Sequence, residues 1–160
     1  MINNLVMKML PLRVLLVDDD DEDRQLIREA LTTAIDHILI EEMATGEELI
    51  KWLAHRRSLP STEMRKESAL VTIILLDMHM PKLTGLETLQ SLGDTRDLAY
   101  MPVVLLTSSI SEPLKQQAYE HGIHLYMVKP AGASGFYRVV EAVKLCYRDT
   151  LRMRDQNAFS

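Results

Sequence analysis

Short apolar, β-branched runs alternate along this chain with segments of helical periodicity. LRVLLV (12–17) predicts a buried strand. Leu26, Ile27, Ala30, Leu31 and Ala34 then recur at helical spacing. Asp20 is the expected N-cap of that helix, with Asp21, Glu22 and Asp23 in a first turn where negative charge is favoured. Residues 38–43 predict a second strand, and 45–55 a helix carrying Leu49, Ile50, Trp52 and Leu53. VTIILL (71–76) is the most strand-like run, and a short helix follows it with Leu83, Leu86, Leu89 and Leu92 at three-residue steps. Residues 102–106 predict a fourth strand. Ser111 is placed to cap the next helix, with Pro113 tolerated in its first turn. Residues 123–128 predict a fifth strand and 134–151 a last helix.

Strands alternating with helices imply right-handed βαβ units and a parallel sheet covered on both faces. Near-continuous apolar strands fit such burial. The expectation is an α/β, doubly wound, five-stranded parallel sheet with five helices. Residues 11–150 form the domain, 1–10 an N-terminal extension and 151–160 a C-terminal tail, which leaves no room for an output domain. The polar stretch RRSLPSTEMRKES (56–68) has no apolar face and is expected to be an exposed surface loop, with a partner-contacting loop as the alternative.

Composition narrows the function. The chain has 160 residues, and its net charge of −5 argues against nucleic-acid binding. One cysteine, Cys146, excludes a disulfide framework and a multi-Cys zinc site, and its place in the last helix makes it buried and inert. No apolar run approaches the ~20 residues of a membrane helix, and MINNLVMKML (1–10) lacks a signal-peptide cleavage pattern. A cytoplasmic protein without membrane contact is expected.

In an open parallel sheet, ligands bind beyond the carboxyl ends of the strands. Asp18, Asp19 and Asp20 follow the first strand, Asp77 the third, Thr107, Ser108 and Ser109 the fourth, and Lys129 and Pro130 the fifth. Carboxylates, hydroxyls and an ammonium would therefore gather at one edge. Closely packed carboxylates repel unless a cation joins them. Oxygen ligands with a vacant side select a hard ion, most simply Mg²⁺, which would complete its octahedron with phosphate oxygen. Lys129 supplies a positive charge for the same anion, and Thr107 or Ser108 a hydrogen bond. Such a set would stabilise a phosphoryl group, with one carboxylate as nucleophile forming an acyl phosphate. Asp20 and Asp21 read more simply as helix-start residues.

The stretches LLVDDD (15–20), LLDMHMPKLTG (75–85), VVLLTSS (103–109) and YMVKP (126–130) resemble, in order and spacing, those of response-regulator receiver domains. The resemblance implies a flavodoxin-like strand order, 2-1-3-4-5. It implies that Asp77 is the phosphoacceptor, Asp19 a direct Mg²⁺ ligand and Asp18 a ligand acting through water. The backbone carbonyl of His79 would be a further ligand, Thr107 the switch hydroxyl, Lys129 the phosphate-binding lysine and Tyr126 the switch aromatic. The Lys129–Pro130 bond would be cis. The chain departs from the common pattern at Ala131 after Pro130, at Ser109, and at His79, whose side chain would govern access of water to the phosphoryl group. The long polar connection and the lack of an attached output domain are similar to the stand-alone receivers that serve bacterial phytochromes.

The function so implied is a single-domain response regulator. It takes a phosphoryl group from a histidine kinase or phosphotransfer protein onto Asp77 and switches a protein-binding face, catalysing only its own phosphorylation and dephosphorylation. Two alternatives stand beside it: an aspartate-nucleophile, Mg²⁺-dependent phosphatase, and a phosphate-independent pseudo-receiver interaction module. Val139, Val140, Val143, Leu145, Cys146 and Tyr147 exceed what one buried stripe of the last helix needs. That excess predicts a homodimer through the face of the fourth and fifth expected helices.

Overall fold

A computed structural model describes residues 10–92, 98 and 100–158. The expected N-terminal extension, Leu10 apart, lies outside the described residues. The elements run β1 (Leu12–Val17), α1 (Asp21–Ala34), β2 (Leu39–Met43), α2 (Gly46–Arg57), α3 (Ser61–Ser68), β3 (Val71–Asp77), α4 (Gly85–Ser91), β4 (Val103–Thr107), α5 (Glu112–Glu120), β5 (Leu125–Val128) and α6 (Tyr137–Ala158). A 3₁₀ turn, Ala133–Gly135, precedes α6.

The strands form one five-stranded sheet in the order β2-β1-β3-β4-β5, and every pairing is parallel. This is the flavodoxin-like doubly wound arrangement. Strand periodicity divides the core into two layers. Leu15, Val17, Ile74, Leu76, Val103 and Leu105 face α2, α4 and α5. Val14, Leu16, Ile73, Leu75, Val104 and Leu106 face α1 and α6.

Asp20 caps α1 as expected, whereas Ser111, expected to cap the helix after β4, holds the N-cap position of α5 without a side-chain hydrogen bond. The Asp20 carboxylate accepts from the N–H groups of Glu22 and Asp23 and caps α1. Thr45 and Thr84 form reciprocal capping boxes with Glu48 and Glu87 at α2 and α4.

Four expectations are corrected. Residues 56–68 are not a loop, because α3 lies within them, so the described residues hold six α-helices rather than five. No residue of α3 is buried, so no apolar periodicity announces it. It is held by charge instead. Arg13, almost buried on β1, forms a two-pronged ion pair with Glu67, at 2.9 and 2.5 Å, and stacks over Trp52. Arg154 of α6 donates to the carbonyls of Ser68 and Leu70 at 2.9 and 2.8 Å, closing the end of α3. The Arg13 guanidinium holds the Glu67 carboxyl below its ordinary value against the opposing effect of burial.

Second, the expected tail at 151–160 is helical as far as Ala158, and the Arg154 contacts tie it to the body. Third, the Lys129–Pro130 bond is trans, as is every peptide bond among the described residues. Even for X–Pro bonds trans is the lower-energy form. Fourth, the apolar strip on the last helix is not spare. Val139, Val140, Val143 and Cys146 are buried in the layer beneath the sheet, and only Leu145 of the six is exposed. Burial, with the Asp149 charge, pushes the Cys146 thiol up to about 12, so it stays protonated at neutral pH.

Candidate functional site at the carboxyl edge of the sheet

Parallel register brings the strand ends to one edge. Val17 stands opposite Met43 and Leu76, Asp77 opposite Leu106, and Thr107 opposite Val128. The ladder continues one bond past each strand. Asp18 N–H donates to the Met43 carbonyl at 3.0 Å, Met78 N–H to Leu106 at 2.7 Å, and Lys129 N–H to Thr107 at 2.7 Å. Asp18, Asp77, Thr107 and Lys129 are thus fixed by backbone, which suits a site that must hold small distances.

The side chains converge. Asp18, Asp19 and Asp77 each offer a carboxylate oxygen within 4.8 Å of the others. Asp18 and Asp77 are buried and Asp19 is exposed, so the cluster opens to solvent on the Asp19 side. Lys129 Nζ lies 2.5 Å from Asp18, 2.7 Å from Asp23 and 3.7 Å from Asp77. Burial disfavours the Lys129 ammonium, but its bonds to Asp18 and Asp23 outweigh that and raise its pKa above the ordinary lysine value. Burial and the Asp18 charge push the Asp77 carboxyl up to about 7, against the pull of Lys129 and of the His79 N–H.

Clustered carboxylates with a single neighbouring ammonium leave negative charge uncompensated. An oxygen-only donor set open on one side fits a hard divalent cation that keeps water or phosphate oxygens.

A turn built around Gly85 positions Asp77. The Gly85 N–H donates to the Met78 carbonyl at 3.0 Å. A Cβ at Gly85 would stand 2.6 Å from the Asp77 carbonyl oxygen and 2.7 Å from Leu105 Cδ1, so only glycine fits.

Across the site, Thr107 and Ser108 are engaged with His79 and Ser109 rather than with Asp77. The Thr107 hydroxyl donates to the Ser109 carbonyl at 2.9 Å, and the His79 ring nitrogen Nε2 stands 3.2 Å from Thr107 Oγ1 and 3.1 Å from Ser108 Oγ. Tyr126 is already packed inside, 5% exposed, and its hydroxyl has no partner among the described residues.

Three participants escaped the sequence reading. Asp23, expected only as a helix-start charge, grips Lys129; its place in the first turn of α1, close behind the acidic pair, was the available signal. Arg24 donates to the Asp18 carbonyl at 2.5 Å and braces the β1–α1 loop. The His79 ring contacts needed the tertiary structure, because 28 residues separate His79 from Thr107.

Residues 14–141 match the model of the response regulator receiver domain. The chain belongs to the response-regulator receiver family. Response regulator Rcp1 of Synechocystis is 31% identical over 89% of this chain and 93% of its own length. The phosphorylated cyanobacterial phytochrome response regulator RcpA superposes with a TM-score of 0.66 at 27% identity, covering 86% of this chain and 94% of that one. The Mn²⁺-bound form of Rcp1 gives 0.62 at 26% identity, over 84% and 92%. Receiver domains bind Mg²⁺ or Mn²⁺ at an acidic cluster, and this receiver has that cluster in Asp18, Asp19 and Asp77. Among the described residues no helix is long and apolar enough to cross a membrane.

Proposed function

We propose that this receiver is a cytoplasmic single-domain response regulator, its folded unit running from residue 11 through α6, that accepts a phosphoryl group on Asp77. The observation that carries this is the setting of Asp77: a buried carboxylate at the end of the central strand, sharing a cluster with Asp18 and Asp19 and facing Lys129. An Asp77 oxygen attacks phosphorus, and the P–N bond of a donor phosphohistidine breaks. The electron pair leaves with the imidazole nitrogen, and an acyl phosphate remains on Asp77. Mg²⁺, held by Asp19 and Asp77, by Asp18 through water and by the His79 backbone carbonyl, would neutralise the clustered carboxylates and the phosphoryl oxygens. Lys129 swings its charge from Asp18 toward a second oxygen. Thr107, helped by Ser108, donates to a third.

A histidine kinase or phosphotransfer protein supplies the phosphoryl group. The signal leaves through the face of α5, β5 and α6, where Leu114, Tyr119, Val128 and Tyr137 are exposed, to a protein partner or a second copy of this chain. Because Tyr126 already lies inside, the switch would shift a population in which the inward ring is present at rest.

Incubation with acetyl phosphate and Mg²⁺ followed by intact mass tests the reading. Wild type gains one phosphoryl group and Asp77→Asn gains none. Equal labelling of both overturns the assignment. Sedimentation with and without a beryllofluoride–Mg²⁺ mimic tests self-association, which fails if the protein stays monomeric at high concentration in both states. A small-substrate phosphatase is disfavoured because the residue two after Asp77 is His79 rather than a second acid.

A further inference from the structure

His79 touches the site at both its ends. Its backbone N–H donates to Asp77 Oδ1 at 3.3 Å. Its ring, at the solvent side, reaches across to the end of β4, with Nε2 3.2 Å from Thr107 Oγ1 and 3.1 Å from Ser108 Oγ.

Counting protons assigns the ring's role. The Thr107 hydroxyl has one proton, and the Ser109 carbonyl 2.9 Å away can only accept it. Oγ1 then has lone pairs alone to offer. The Ser109 N–H reaches one of them at 3.4 Å. With the Thr107 proton committed to Ser109, contact with His79 is a hydrogen bond when Nε2 carries the proton, and Nε2–H then donates to Thr107 and to the nearby Ser108 oxygen. Every hydrogen-bonding position of the Thr107 hydroxyl is thereby committed, and none is directed at Asp77.

We propose that the His79 side chain is a latch that holds the Thr107 switch hydroxyl in the resting arrangement, so that phosphorylation proceeds only by releasing it. This rests on the reading of Asp77 as phosphoacceptor. To donate to a phosphoryl oxygen, Thr107 must surrender the Ser109 carbonyl and rotate away from the ring. The bond to Nε2 exists before that rotation and is lost by it, so it stabilises the resting state selectively. A contact made in only one of two states shifts their ratio by its full worth, and apparent affinity for a ligand of the other state falls accordingly. His79 is therefore a positioning residue that acts through Thr107. Anchorage of its backbone to Asp77 couples the latch to the group that is modified.

The test separates latch from bulk. Beryllofluoride–Mg²⁺ binding to the whole protein is titrated by ¹⁹F NMR for wild type, His79→Phe, His79→Ala and His79→Gln. The ring is exposed, so all four should melt alike. The latch predicts that the Phe and Ala variants bind roughly three- to tenfold tighter than wild type, the worth of one such hydrogen bond, with Gln between because its amide can donate. A ring that merely shields the site predicts that Phe behaves as wild type, and that result overturns the latch, as does weaker binding by Phe. The resting protein gives an independent readout: ¹⁵N spectra should show His79 as the Nε2–H tautomer, and the Ser109 amide signal should move in His79→Phe. An Nδ1–H tautomer overturns the latch whatever the titration shows. Wild type that takes up no beryllofluoride overturns the phosphoacceptor reading, and the latch with it.

Discussion

Lys129 Nζ sits 2.5 Å from Asp18 Oδ2 but 3.7 Å from Asp77 Oδ2, so at rest the ammonium belongs to the acid at the end of β1 and not to the one at the end of β3. Asp18 is 1% exposed and has little solvent to fall back on. Lys129→Met should therefore destabilise the fold by about 2–4 kcal/mol, because it leaves a buried carboxylate without its partner. Thermal melts in the absence of divalent cation measure this. A loss below about 1 kcal/mol would mean that Asp18 finds other compensation.

Asp77 has the opposite energetics. Its carboxyl is pushed up to about 7, first by burial and then by Asp18. A raised acid favours the folded state while protonated. That contribution is complete below the unfolded pKa near 4 and is lost as pH rises through about 7. Asp77→Asn stays neutral throughout. Its stability relative to metal-free wild type should climb between about pH 4 and pH 7, by at most about 1.4 kcal/mol per pH unit, and level off above that. Paired denaturant titrations across that range decide it, and a difference that is flat with pH contradicts the expected ionisation.

Mg²⁺ should reverse that penalty. Asp19 is the exposed member of the cluster and makes no ion pair with Lys129 in the resting arrangement. Asp19→Asn should melt slightly higher than wild type without metal, since one repelling charge is gone. It should gain less from Mg²⁺, since one ligand is gone. The comparison is the Mg²⁺-induced rise in Tm for the two proteins. Equal rises would remove Asp19 from the metal site.

The turn after β3 supplies a test of rigidity. A Cβ on Gly85 would meet the Asp77 carbonyl and Leu105, and the backbone oxygen cannot give way as a flexible side chain could. Gly85→Ala should cost about 1–3 kcal/mol and also lower the rate of labelling by acetyl phosphate, because the displaced atoms carry Asp77. Full stability with normal labelling would show that the turn relaxes freely.

The sheet, and the gathering of the candidate site residues at its carboxyl edge, were legible because periodicity and burial coincide along the strands. Strands buried on both faces are apolar throughout, and the chemistry sits at the carboxyl ends of the strands, on the last residue of β3 and β4 and one residue past β1 and β5, at the edge where a parallel sheet gathers its ligands. What was illegible depends on contacts between distant polar residues. α3 has no apolar stripe, and it is a helix in place because Arg13 and Arg154, 54 and 86 residues from their partners Glu67 and Ser68, grip it. Arg13 was a visible anomaly, a charge inside LRVLLV, yet nothing in the sequence names Glu67 as its partner. The surplus of apolar residues on α6 misled for a related reason. A helix set deep against β3 and α1 buries more than one stripe, so counting apolar positions overstated the free surface. His79 likewise read as a neighbour of Asp77 only, because its ring contacts belong to another strand.

Tyr126 offers the sharpest check on the resting state of the switch. Its ring is 5% exposed, and its phenolic oxygen is buried with no hydrogen-bond partner among the described residues. A buried hydroxyl left unpaired costs about 1–3 kcal/mol, whereas the ring's burial is favourable. Tyr126→Phe keeps the ring and removes the cost, so it should match or exceed wild-type stability by up to about 1 kcal/mol. It should also hold the ring inside more firmly. If the inward ring belongs to the switched arrangement, the variant binds beryllofluoride–Mg²⁺ more tightly than wild type while Asp77 chemistry is untouched. Denaturant titration and ¹⁹F NMR on the same samples read both effects. A variant less stable by 1 kcal/mol or more would show that the hydroxyl is satisfied in solution, and that the ring spends its resting time outside.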